Sequence, residues 1–96
     1  MSVLTDEAAR TDVLNRLKRA EGQLRGIQRM IEEGQECLQV AQQLSAVRKA
    51  LDSTYVRMTM CFVEQELGSR LAAPGEAPAD LAPLLKDMET LLARIG

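Results

Sequence analysis

The chain has no histidine and no tryptophan, and only one tyrosine, one phenylalanine and three prolines in 96 residues. Without histidine there is no imidazole for acid–base chemistry at neutral pH, nor for the imidazole-rich sites that suit nickel and cobalt. The scarcity of aromatics and the lack of β-branched runs argue against an all-β architecture. No apolar run approaches the roughly 20 residues that a membrane-spanning helix needs, so no membrane partner is expected. The opening stretch MSVLTDEAAR is polar and acidic, unlike an export signal, which points to the cytoplasm. Neither a phosphate-cradling glycine loop nor a recognisable catalytic carboxylate pair is present, and an enzyme is not expected.

What remains is rich in Ala, Leu, Glu, Gln, Arg and Met, with 46% hydrophobic residues. This is helical composition. One small domain over residues 1–96 can bury only a modest core, so partner subunits are expected. The two cysteines, in a chain without an export signal, read as reduced thiols and not as a permanent bridge.

The net charge of −2 conceals a segregation. Arg10, Arg16, Lys18, Arg19, Arg25 and Arg29 are opposed over the same stretch only by Asp12 and Glu21, while the flanking segments lean acidic. EEGQE at 32–36 and the Pro/Gly/Ala stretch AAPGEAPA at 72–79 break the pattern. They divide the chain into three helices, at about 11–33, 36–68 and 79–95.

In the first helix Val13, Leu17, Ala20, Leu24, Ile27 and Ile31 form one apolar stripe by alternating steps of three and four. Lys18, Arg25 and Arg29 project from the other side. Gly22 and Gly26 lie between, each at a cost of roughly 0.8–1 kcal/mol relative to alanine. A small-xxx-small pair of this kind lets a neighbouring helix or a polyanion approach closely.

The second helix carries a heptad-like seam of Val40, Leu44, Val47, Leu51, Tyr55, Met58 and Phe62. At about 30 residues it is roughly 45 Å long, more than its own chain can cover, and a matching helix from a second copy is the natural partner. Cys37 falls in its first turn, where unpaired N–H groups and the helix dipole favour a negatively charged, reactive sulfur. Cys61 lies 24 residues further on, roughly 36 Å away along one helix. Antiparallel pairing of two copies, crossing near Lys49, would bring Cys37 of one level with Cys61 of the other.

RLKRAEGQLRGIQRMIEEGQECLQVAQQLSAVRKAL, within a match over residues 13–67, resembles the signature of the CsoR/RcnR family of small bacterial repressors. These sense copper(I), nickel or cobalt, formaldehyde, or reactive sulfur. The resemblance implies an all-α, three-helix protomer, an antiparallel dimer of the second helix, and a dimer of dimers that binds operator double-stranded DNA as a homotetramer. It also implies an inducer site spanning two subunits, whose occupation or modification weakens DNA binding. Cys37 matches the family's sensing cysteine. Phe62 stands where metal sensors place histidine, Glu66 stands where copper and persulfide sensors place a second cysteine, and the N-terminal proline of formaldehyde sensors is absent.

The expected function is therefore a transcriptional repressor released by thiol modification at Cys37 and Cys61, by reactive sulfur or another thiol-reactive inducer and with no cofactor. Copper(I) held by the same two thiolates, with Met58 or Met60 nearby, is the alternative. Arg16, Lys18, Arg19, Arg25, Arg29, Arg48 and Lys49 are the expected DNA contacts. A helical adaptor that binds another protein through its seam is the competing reading from a different class.

Overall fold

A computed structural model describes residues 3–70 and 81–94. The Pro/Gly/Ala stretch at 72–79 and the start expected for the third helix lie outside these. The described residues form three helices and no strand: α1 (Glu7–Glu32), α2 (Cys37–Arg70) and α3 (Ala82–Leu92).

α1 begins four residues before the expected position 11. Glu7–Arg10 are good helix formers, Glu7 complements the dipole in the first turn, and Ala9 is buried on α2. The helix stops at the expected glycine, and the stop has a defined geometry. Gly34 has φ +74°, its N–H donates to the Ile31 carbonyl at 3.1 Å, and the Gln35 N–H reaches back to Met30 at 2.9 Å. This is a Schellman motif, in which a side chain at Gly34 would cost about 1–2 kcal/mol. Cys37 opens α2 three residues later.

α1 runs antiparallel along α2, and α3 folds back onto α2. The stripes read as single seams in the sequence are each split in two. On α1, Val13, Ala20 and Ile27, seven residues apart, are buried, whereas Leu17, Leu24 and Ile31 are exposed. On α2, Val47, Thr54 and Cys61 are buried, whereas Leu44, Leu51 and Met58 are exposed. Each helix thus uses one heptad row to pack inside the protomer and leaves the neighbouring row uncovered. The seam expected from Val40 to Phe62 interleaved both rows; Val47, at 3% exposure, belongs to the protomer core. Leu84 anchors α3, and the Tyr55 hydroxyl donates to the Leu91 carbonyl at 2.6 Å. The result measures 64 × 27 × 17 Å, a thin shape with two unpaired apolar rows.

Candidate functional site

Cys37 is exposed at the first turn of α2, and its heptad row continues through Leu44, Leu51 and Met58. Tyr55 and Phe62, the chain's only aromatic residues, lie next to that row. With Met58, Thr59, Asp87, Thr90 and Leu91 they wall a cavity of about 370 Å³ beneath α3. Phe62 therefore faces an apolar chamber.

Cys61 sits elsewhere. It is 3% exposed and packs with Ala9, Val13 and Leu4 under the start of α1. The structure does not bring the two cysteines together within one protomer, and it turns Cys61 into the α1–α2 interface, away from the row that begins at Cys37. The sequence held half of this: Cys61 continues the seven-residue row of Val47 and Thr54 and Cys37 that of Leu44 and Leu51, which sets the two cysteines on different rows without saying which row is buried. Among the described residues of one protomer, no group of three or more His, Cys, Asp or Glu side chains is arranged to hold a metal.

The basic residues also separate into groups. Lys18, Arg19, Arg29, Arg48 and Lys49 are exposed. Arg25 is exposed and paired one turn back with Glu21 at 3.3 Å, an arrangement worth little to stability. Arg16 is different, because Asp12 and Ser53 both hold it. Asp12 accepts from Arg57 Nε at 2.8 Å and from Arg16 Nε at 3.2 Å. The Arg57 hydrogen bond first, and that of Arg16 second, hold the Asp12 carboxyl below its ordinary pKa. Arg57 and Ser53 escape a sequence reading, since a partner 45 or 37 residues away leaves no periodic trace. Gly22 and Gly26 are exposed, and a Cβ at either would meet nothing within 4 Å.

Residues 9–94 match the family described as metal-sensitive transcriptional repressors. Among curated proteins, the chain is 54% identical over 43 residues to the copper-sensing transcriptional repressor RicR of Mycobacterium tuberculosis, covering 45% of each chain. It is 44% identical over 46 residues to the copper-sensing repressor CsoR of Bacillus subtilis, covering 48% of this chain and 46% of that one. It is 49% identical over 82 residues to CsoR of Mycobacterium ulcerans, covering 80% and 65%. The matched region spans somewhat less than half the length of the first two relatives. No solved structure matches significantly. No helix among the described residues is long and apolar enough to cross a membrane.

These matches correct one expectation from the sequence, that the protein works without a cofactor: the family responds to metal, and the missing histidine removed only one kind of ligand. With the family match running over all three helices, from the buried start of α1 to the end of α3, the chain belongs to the metal-sensitive transcriptional repressors.

Proposed function

We propose that this protein is a DNA-binding repressor whose hold on its operator is relaxed by copper(I), captured at a site that two copies share. The observation that carries this is the place of Cys37, exposed at the head of the uncovered row Leu44, Leu51, Met58. A second α2 laid antiparallel along that row, crossing near Lys49, sets Cys37 level with position 61 at the far end of the helix, within about one turn of Met58, the last member of the row. Two such dimers, joined through the other uncovered row on α1, would make the tetramer.

The available donors fit the metal. A thiolate from Cys37 and a thioether from Met58 of the other copy are soft ligands, of the kind copper(I) selects. When bound, the ion supplies a soft centre that ties sulfurs of two subunits together. Cys37 contributes by giving up its thiol proton, and Tyr55 and Phe62 keep the facing end of α2 apolar and exclude water. Cys61 would have to leave Ala9 and Val13 to join such a site, which is why Met58 is preferred to it here. On the same packing we rank thiol modification second, because the expected crosslink from Cys37 to Cys61 needs the two Cβ atoms within bonding reach and Cys61 is buried against Ala9 and Val13. Support for the metal comes from the relatives named as copper-sensing.

The DNA surface is built from Arg16, Lys18, Arg19, Arg25 and Arg29 on α1, with Arg48 and Lys49 on α2, repeated fourfold in the tetramer. Such a surface steers and holds duplex phosphates, and its affinity falls steeply as salt rises. An adaptor seam would be nearly indifferent to salt.

Competition for copper(I) against a colorimetric chelator, read together with release from DNA, tests the reading. Cys37→Ser should lose the metal and stay on DNA, Met58→Leu should bind copper more weakly, and Cys61→Ser should behave as the wild type. Loss of copper binding in Cys61→Ser with none in Met58→Leu would assign the second sulfur to Cys61. A wild type that ignores copper yet crosslinks with polysulfide would return the sensor to thiol chemistry.

A further inference from the structure

On the flank of α1 away from Leu17 and Leu24, a groove of about 190 Å³ opens between α1 and α2. Arg16, Arg19, Gln23 and Ser53 line it, above Ala50 and Thr54. Arg16, Arg19, Gln23 and Ser53 can each donate a hydrogen bond, and none of the lining side chains carries negative charge.

Arg16 is half-buried and has two side-chain partners. Its Nε donates to Asp12 Oδ1 at 3.2 Å and its Nη1 to Ser53 Oγ at 3.3 Å. Asp12 is itself fixed, because its other oxygen accepts from Arg57 Nε at 2.8 Å across the helix interface. One carboxylate therefore joins two guanidiniums, and the trio keeps a net positive charge. Arg16 spends two of the five donors of a guanidinium on these bonds, which leaves others for an anion. Holding a long side chain still costs rotamer entropy. Here that cost falls on folding, so less remains to be met when a ligand arrives.

We infer that this groove is a preformed seat for one phosphodiester group of duplex DNA, contacted by Arg16, Arg19, Gln23 and Ser53, and that Asp12, fixed by Arg57, is a positioning residue for Arg16. The inference rests on the DNA-binding reading above and adds to it the groove's neutral donors and the clamp behind it. A carboxylate within a basic surface repels phosphate, so a protein that needed only charge would bind DNA better without it.

That opposition of sign makes the test. The full-length protein is titrated onto a fluorescein-labelled, mixed-sequence DNA duplex, with anisotropy read over a range of salt. Charge alone makes Asp12→Asn bind more tightly than the wild type. The positioning role makes it bind about threefold to tenfold more weakly. The slope of log affinity against log salt should also become shallower, by up to about 0.9 for each phosphate that is no longer neutralised. Asp12→Glu should recover part of the affinity. In an Arg16→Ala background Asp12→Asn should cause no further weakening. Arg57→Lys keeps every charge but loses the Nε bond, and should weaken binding in the same direction even if Asp12→Asn proves poorly folded by circular dichroism. Asp12→Asn binding equally or more tightly, or weakening the Arg16→Ala protein just as much as the wild type, overturns the seat while leaving the DNA reading intact. A wild type that binds no duplex at low salt overturns the DNA reading and the seat with it.

Discussion

Tyr55 of α2 and Leu91 of α3 are joined by a 2.6 Å hydrogen bond from the phenol to a carbonyl near the helix end. That carbonyl also accepts the Arg94 N–H at 3.1 Å, so removing the phenol does not leave it without a partner. Tyr55→Phe should therefore cost only about 0.5–1.5 kcal/mol, the net value of one bond. The loss should be local: hydrogen exchange in α3 should quicken while that in α1 is unchanged. Equal acceleration in both helices would show that α3 does not open on its own.

The Asp12 clamp makes stability depend on acid. Its folded pKa lies below the ordinary value, chiefly because Arg57, and then Arg16, hydrogen-bond the charged form. The unfolded chain then takes up the proton first as pH falls, so the clamp's contribution is full above about pH 3.9, the unfolded carboxylate value, and is lost as pH drops through the lower folded value. Urea midpoints of the wild type and Asp12→Asn should differ at pH 6 and converge on acidification through that window. A gap that stays constant would mean that Asp12 is not ionised against the arginines.

Leu51 lies mid-way along the uncovered row of α2 and is exposed in the protomer. Leu51→Glu should leave the protomer's helical content unchanged, yet break the antiparallel pairing proposed for α2 by placing a charge in an apolar contact. Sedimentation velocity should show smaller species at micromolar protein. A tetramer of undiminished stability would place the dimer contact on another face.

Gly22 and Gly26 have open space around them in the protomer. Gly22→Ala with Gly26→Ala should stabilise α1, by roughly 0.8–1 kcal/mol for each replacement. Should the glycines serve close approach, the same variant will lose tetramer or DNA affinity even as its helix melts later. Gain of stability with both properties intact would leave the glycines without a role.

Much of this was written in local sequence. The three helices followed from composition, from 3.6-residue periodicity in the first two and from the breaks at EEGQE and AAPGEAPA, the end of α1 from the glycine in EEGQE, and the place of Cys37 in the first turn of α2 from its position just after that break. These are near-neighbour effects, decided within a few residues along the chain. What local sequence could not decide was the partner of each helix face. α1 and α2 each carry two adjacent apolar rows, and periodicity alone cannot say that Val47 goes inside while Leu44 and Leu51 stay out. Cys61 became a core residue because the register of α1 on α2 put Ala9 and Val13 over it, and Asp12 found Arg57 through the same register. Antiparallel packing sums many weak contacts over distant residues. Its outcome belongs to the tertiary structure, which turned one cysteine toward the core and left the other at the surface.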